Sequence, residues 1–327
     1  MAKIIFHFQG GGFGDFLCCF KALYAIKCLY PNDSLGIYAL NLPQDFTQKV
    51  GFIDEVINAN EVSIEQIRAM NPDIFITAYR KGAFFRKIQT LKFKRLIVQP
   101  HFVSLTSSAF ETPLPYFHAK KYMADIVLKL VRVINPRHYD ENFAKIDFSK
   151  MRDFLPKDSS LTAPFFKSVD FPYKKVIGIN AFANHKESAG INFYHKDWYY
   201  LAVNLARSYP QFLFVLLNFS NNPIQFNDSA NLPNLKIFVN DESIASLVSI
   251  SMGLDYLISI DTGNVHLCNI LQIPAFVFID KAVQYRWGGG NRKFVVESGW
   301  QKEYGKILAE FSKMAKEALD SLENGIK

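Results

Sequence analysis

Two α/β domains built on parallel sheets are what this sequence predicts, and three observations carry the expectation. Short β-branched and aromatic runs alternate with segments whose apolar residues recur every three or four positions, the pattern of strands joined by crossover helices. The alternation fades between Pro136 and Tyr173, where Pro156, Pro164 and Pro172 stand and no period is sustained, and then it restarts. At 327 residues the chain has length for about two cores of roughly 150 residues each.

In the first half the strand candidates are Lys3 to Phe8, Leu35 to Leu40, Asp73 to Thr77 and Arg95 to Val98. Between the first two, Phe16, Phe20, Leu23, Ile26 and Tyr30 form one helical stripe that Pro31 and Asn32 close, and Lys121 to Ile134 is a second helix ending before Asn135-Pro136. The second half offers strands at Lys175 to Asn180, Gln211 to Asn218, Leu235 to Val239, Tyr256 to Ile260 and Ala275 to Ile279. Helix patterns at Trp198 to Ser208, Ile244 to Met252 and Asn264 to Leu271 separate them, and Gln301 to Asn324 carries a last amphipathic helix. The expected division is therefore 1–165, 166–300 and a terminal helix at 301–327.

Composition narrows the class. A chain with 49% hydrophobic and 20% charged residues is not disordered, and no stretch stays apolar for the ~18 residues a membrane span requires. The first residues lack the cationic start and apolar core of a secretory signal, which predicts a cytoplasmic protein. Cys18, Cys19, Cys28 and Cys268 have no metal or disulfide spacing, and the seven histidines form no ligand pair, so neither a metal nor a cofactor is expected. The net charge of +7 is concentrated in Tyr79 to Arg95, where Arg80, Lys81, Arg86, Lys87, Lys92, Lys94 and Arg95 stand with no acid among them. This stretch is either a solvated helix face or a surface for an anionic partner, a phosphorylated sugar or lipid headgroups. No RNA-binding signature or zinc-finger spacing accompanies it, which sets nucleic acid aside.

Two segments carry chemistry. In IIFHFQGGGFGDF, Gly10, Gly11, Gly12 and Gly14 lie between a strand and a helix, where free helix N–H groups favour an anion or a carboxylate. Asp15 stands where a dinucleotide fingerprint needs its third glycine, so a nicotinamide site is disfavoured, and no Gly-Lys-Ser/Thr makes a P-loop. Asp15 has two readings that can both be true, the helix cap and a carboxylate at the lip of the sheet able to act as a general base. In LDYLISIDTGNVHLCNIL, a buried strand ends at Ile260 and Asp261-Thr262-Gly263 turn into a helix whose first amides suit a phosphate. His266 lies one turn in, as a ligand-facing group or a packed histidine. Asn180, Asn184 and Lys186 leave the first strand of the second half where phosphate or sugar contacts are made, and Trp287 with Gly288-Gly289-Gly290 is a surface turn or a wall of the same site.

Together the two segments resemble glycosyltransferase family nine, which contains the bacterial lipopolysaccharide heptosyltransferases. The resemblance rests on Gly14-Asp15 running without a gap to Tyr30-Pro31, and on an Asp-Thr-Gly-x-x-His signature at Asp261, Thr262, Gly263 and His266. Weaker echoes at FIDEVI, PDIFITAYRKG, HAKKYM and SIASLVSISMGLDYLISIDTG extend it over nearly the whole chain. The sequence departs from the family at Lys21, where a proline is usual, and at Ala78 to Gly82. It departs again at Ile191 and Phe193, where a lysine and the first tryptophan of a Trp-Pro-x-x-x-Trp block would stand. Lys186 or Lys196 is the candidate replacement for that lysine.

The resemblance implies a GT-B architecture, two Rossmann-like doubly wound domains facing across a cleft, with the terminal helix crossing back to the first. It implies an inverting, metal-independent transfer of a sugar, heptose from ADP-heptose, to a lipopolysaccharide or related glycan. Asp15 would be the base, with Gly11, Gly12 and Gly14 beside it. Asn180, Asn184, Lys186, Asp261, Thr262, Gly263 and His266 would hold the nucleotide-sugar. An anionic glycolipid acceptor would place the protein on the cytoplasmic face of the inner membrane, touching it through the basic stretch. Another nucleotide-sugar, a protein acceptor, or a binding protein without catalysis are the alternatives.

Overall fold

Strands form where β-branched and aromatic side chains run together, and in this chain those runs are apolar on both faces, as strands covered by helices on each side must be. A computed structural model of the chain describes residues 1–8, 12–113, 121–183, 191–222, 224–226, 230–241 and 243–325. It divides into two compact units, Met1–Pro156 and Lys157–Lys327.

The first unit holds β1 (Lys3–Phe8), β2 (Ser34–Ala39), β3 (Glu55–Asn58), β4 (Ile74–Thr77) and β5 (Leu96–Val98), all parallel, in the order β3-β2-β1-β4-β5. The chain winds outward from β1 to β3, then returns to lay β4 on the other side of β1. The order reverses between β1 and β4. One face of this sheet buries Ile5, Tyr38, Phe75 and Val98 beneath Ile64 and Ile67 of the helix Ile64–Ala69 and Phe85 and Ile88 of the helix Gly82–Thr90. Helix α1 (Phe13–Leu29) follows β1 directly and packs beside the helix Met123–Ile134, with Lys21 donating to Asp125 at 2.7 Å.

The second unit repeats the plan with β6 (Lys175–Asn180), β7 (Phe212–Phe219), β8 (Leu235–Asn240), β9 (Tyr256–Ile260), β10 (Ala275–Asp280) and β11 (Arg292–Val296), again all parallel, in the order β11-β10-β9-β6-β7-β8. Here the reversal lies between β6 and β9. Alternate residues of these strands feed two cores. Ile177, Ile179, Phe276 and Phe278 meet Trp198 of the helix His195–Ser208 and Phe311 of the terminal helix Tyr304–Glu323 on one face. Val176, Val215, Leu257 and Val277 meet Ile250, Val265 and Cys268 on the other.

The division at Pro156 falls ahead of the expected 165 because Leu161, Phe165 and Phe166 already pack on the second unit's core. The terminal helix packs its apolar side, Phe311, Ala315, Ala318 and Leu319, on that same unit. Strands β3 and β11 were not expected from the sequence. Both are edge strands with polar, partly exposed positions, so neither forms an apolar run. Among the described residues no helix is long and apolar enough to cross a membrane.

Candidate functional site

In doubly wound sheets the crevice for ligands opens at the carboxyl ends of the strands where the order reverses. Each unit has one such point, and the chemistry-bearing residues singled out by sequence and described in the structure collect there.

In the first unit the reversal is marked by a buried polar pair. His7 on β1 places Nδ1 2.9 Å from Thr77 Oγ1 on β4, and the same hydroxyl accepts the Tyr79 N–H at 3.1 Å. Phe84, Tyr38, Phe75 and Tyr79 surround the imidazole, with centroids 4.7 to 6.0 Å away. Burial pushes His7 down to about 3, so the ring is neutral at physiological pH. The pair pins the loop that follows β4, and sequence inspection missed it. Its signals are a lone histidine and a terminal threonine in otherwise apolar strands.

Asp15 stands three residues after the backbone cap of α1. That cap is Gly12, extended and without a side-chain hydrogen bond, and the Asp15 N–H donates to the Gly12 carbonyl at 3.2 Å. This settles one alternative: Asp15 is not the cap but a half-buried carboxylate in the first helical turn, where the helix dipole favours its charge. Among the described residues a Cβ built on Gly12 meets nothing within 4 Å. Gly14 precedes Asp15 in the same turn. Gly10 and Gly11 lie outside the described residues.

The second unit places a polar network at its reversal. Asn180, the last residue of β6 and 5% exposed, donates Nδ2 to Ser259 Oγ at 3.0 Å and to Thr262 Oγ1 at 3.1 Å. Ser259 lies directly opposite Asn180 in the β6–β9 register. It is the polar exception in a five-residue apolar strand, a signal that sequence inspection passed over. Thr262 caps the helix Gly263–Leu271 from an extended backbone. Asp261 is buried and held by its N–H to the Phe278 carbonyl at 3.1 Å.

His266, one turn into the helix, is lowered below its ordinary pKa by burial, partly opposed by the Asp261 carboxylate nearby, so it too is neutral at physiological pH. Trp287 packs against it edge to face at 5.8 Å, which makes Trp287 a support of this site. Two residues on, Gly289 adopts φ +57, a conformation that favours glycine, and a Cβ there would lie 2.7 Å from Asn269 Nδ2, so the Asn269 side chain would have to move. Asn180, Asp261, Thr262, Gly263 and His266 are thus brought together at one reversal. Asn184 and Lys186 lie outside the described residues.

Further along, Asn192 donates to the Ala181 carbonyl at 2.8 Å and accepts the Trp198 indole N–H at 2.9 Å, tying the following helix to the end of β6. Phe193 is core, packed on Trp198, Phe278, Trp300 and Phe311. Lys196, the other candidate for the family lysine, lies over the exposed Tyr194 ring.

Six of the seven cations of the basic stretch separate into two groups. Lys87 pairs with Glu65 at 3.0 Å and Lys94 with Asp73 at 2.9 Å. Arg95 grips Glu111 through two nitrogens at 2.9 and 2.6 Å and donates to the Val133 and Ile134 carbonyls that end a helix. All three are paired within the first unit, Lys87 and Lys94 at exposed positions and Arg95 at a half-buried one. Lys81, Arg86 and Lys92 are exposed and make no ion pair among the described residues. No three His, Cys, Asp or Glu side chains converge as a metal site among the described residues.

No protein-family model matches the chain, and no curated protein matches it. Solved structures do. A family 9 glycosyl transferase from Veillonella parvula is similar at 13% identity and TM-score 0.62, over 93% of this chain and 88% of that one. The E. coli heptosyltransferase WaaC with ADP is similar at 12% identity and TM-score 0.62, over 97% and 99%. A Listeria monocytogenes structure described as a UDP-N-acetylglucosamine 2-epimerase is similar at 12% identity and TM-score 0.52, over 99% and 90%. At these identities the likeness is one of fold: the chain has the α/β fold of the GT-B type that the resemblance implied, on the scale of the whole chain.

Proposed function

We propose that this chain is an inverting glycosyltransferase that moves a sugar, heptose from an ADP-linked donor, onto an anionic glycolipid or oligosaccharide of the bacterial surface. The observation that carries the reading is the division of chemistry between the two strand-order reversals, a carboxylate at one and a helix start lined with neutral donors at the other. The fold is shared with an epimerase as well, so the fold alone does not choose the reaction.

In this reading the first unit takes the acceptor and the second the nucleotide-sugar. Asp15 accepts the proton of the acceptor hydroxyl as its oxygen attacks the anomeric carbon. The bond from that carbon to the diphosphate breaks with its electron pair staying on the diphosphate, and the anomeric configuration inverts. The amides of Thr262 and Gly263 and the Thr262 hydroxyl meet the developing charge. Such preorganised donors contribute about 3 to 4 kcal/mol each in comparable sites. Asn180 fixes the Thr262 hydroxyl by its 3.1 Å hydrogen bond, and Asp261 and His266 hold the turn. Asn184, Lys186 and Gly11 join by sequence alone, Lys186 as the added cation. No step requires a metal. Of the basic residues, Arg80, Lys81, Arg86 and Lys92 face the anionic acceptor or the inner leaflet, while Lys87, Lys94 and Arg95 are structural.

The test is nucleoside diphosphate release from ADP-, UDP- and GDP-linked sugars with a lipopolysaccharide-core acceptor. ADP release with heptose transfer is expected. Release of UDP or GDP and never ADP overturns the donor assignment, and ADP binding without turnover makes the chain a binding protein. Undiminished transfer by Asp15→Ala overturns the mechanism.

A further inference from the structure

The first unit carries an apolar feature that neither its core nor the catalytic reading accounts for. Of the described phenylalanines among the chain's 31, only Phe102 is exposed, and it is exposed by 78%. Leu105, exposed by 51%, follows three residues later in the same short helix, Phe102–Leu105, so the two side chains share one face while Ser104 between them is buried. Leaving a Phe and a Leu side by side in water forfeits the burial that most of the other large apolar side chains of this unit obtain.

This helix lies against the basic helix Gly82–Thr90. A Cβ built on Gly82 would sit 3.1 Å from the His101 ring and 3.7 Å from Val103. At the other end, Gln89 donates to Ser107 Oγ at 2.9 Å. Gly82, Arg86 and Gln89 are spaced four and three apart, so Arg86 stands on the stripe that meets the Phe102 helix. Lys81 precedes it, exposed. From Tyr79 to Phe110 the sequence holds no acidic residue.

We propose that Phe102 and Leu105 are a membrane anchor that inserts into the interface of an anionic bilayer, with Lys81 and Arg86 seated on its phosphates. An apolar tip beside unpaired cations fits a surface that is apolar beneath and negatively charged above. Nucleic acid offers the charge without an apolar layer, and lipid-only vesicles separate the bilayer from a protein partner. The anchor deepens the membrane contact of the reading above and is independent of the sugar transferred, so either can fail alone.

The experiment is flotation of the full chain with phosphatidylcholine vesicles and with phosphatidylglycerol–phosphatidylcholine vesicles, no acceptor present. Binding is expected only to the anionic vesicles, falling about thirtyfold in Phe102→Ser/Leu105→Ser and about fivefold for each charge removed by Lys81→Gln or Arg86→Gln. The control Tyr200→Ser, at a residue of the second unit exposed by 61%, should bind as the parent does. The serine variants alter exposed positions, and an unchanged thermal melt confirms that they fold. Equal binding by the parent and the Phe102→Ser/Leu105→Ser variant overturns the proposal, as does absence of binding to anionic vesicles. A dimer in solution that the same variant dissociates assigns the patch to self-association and overturns it too.

Discussion

The two units place their reversals in the same topological position and fill them with opposite chemistry. At β1 and β4 the polar groups are a buried pair, His7 and Thr77, caged by aromatic rings, with the half-buried Asp15 carboxylate on the first turn of α1. At β6 and β9 the groups form a network, Asn180 to Ser259 and Thr262, beside a buried Asp261 and His266. One end offers a place for a proton and the other a set of donors for an anion. What the topology provides is a crevice; the residue types at the strand ends decide what chemistry each crevice can offer. Each also keeps one histidine neutral by burial.

The largest expected effect falls on the first side of this comparison. Asp15→Asn should lower transfer by about 10²- to 10⁴-fold, while ADP affinity, measured by calorimetry, stays within error because the groups proposed to bind the donor belong to the other unit. Lost ADP affinity would merge the two roles.

Next is Asn180→Ala on the second side, which strips the Ser259 and Thr262 hydroxyls of a donor inside the fold and should cost about 1 to 3 kcal/mol. All three tryptophans, Trp198, Trp287 and Trp300, lie in the second unit, so urea unfolding followed by tryptophan fluorescence reports that unit, and its midpoint should fall. Hydrogen exchange in β1 and β4 should not change. Loss of protection there would break the separation.

The buried histidines predict a shared pH dependence. An unfolded histidine takes its proton near 6.5, whereas folded His7 does so only near 3. Between those values the unfolded chain binds more protons than the folded one. The contribution is therefore complete above pH 6.5 and is lost as pH falls toward 3, with a slope approaching about 1.4 kcal/mol per pH unit. His266 acts in the same direction in the second unit. His7→Leu should flatten the loss of β1 and β4 exchange protection between pH 6.5 and 5 and leave the tryptophan-reported transition as it was.

The smallest effect is at Lys94→Ala, whose exposed pair with Asp73 should contribute less than about 1 kcal/mol by thermal denaturation. Arg95→Ala, which breaks two carboxylate contacts and releases two helix-terminal carbonyls, should exceed it. If charge reversal at Lys94 weakens anionic vesicle binding more than neutralising Arg86 does, the division of the basic stretch into frame and surface is wrong.

Much of this was legible in the residues. Strands β1, β4, β6, β7, β9 and β10 have long apolar runs because helices cover both faces, and the glycine turn before α1 and the Asp261-Thr262-Gly263 turn announce themselves by composition. Edge strands β3 and β11 did not, since each mixes polar residues with apolar ones and most of its positions are only partly buried or exposed. Nor did the ionic partners of the basic stretch, because Glu65, Asp73 and Glu111 lie far from Lys87, Lys94 and Arg95 along the chain and are adjacent only once strands pair. Phe102 could not be told from a core phenylalanine by type.

By itself, then, the sequence determined the α/β class, the two units and a set of candidate groups for chemistry, because periodicity and composition are local properties of the chain. Only the tertiary structure decided which strands became neighbours, and with that which groups meet. Asn180 reaches Thr262 because β6 lies beside β9, Asp15 is a helical carboxylate rather than a cap because the helix starts at Phe13, and Arg95 is spent on Glu111 rather than left for a ligand. These are contacts between residues distant in sequence, fixed by strand order and packing, and no local pattern encodes them.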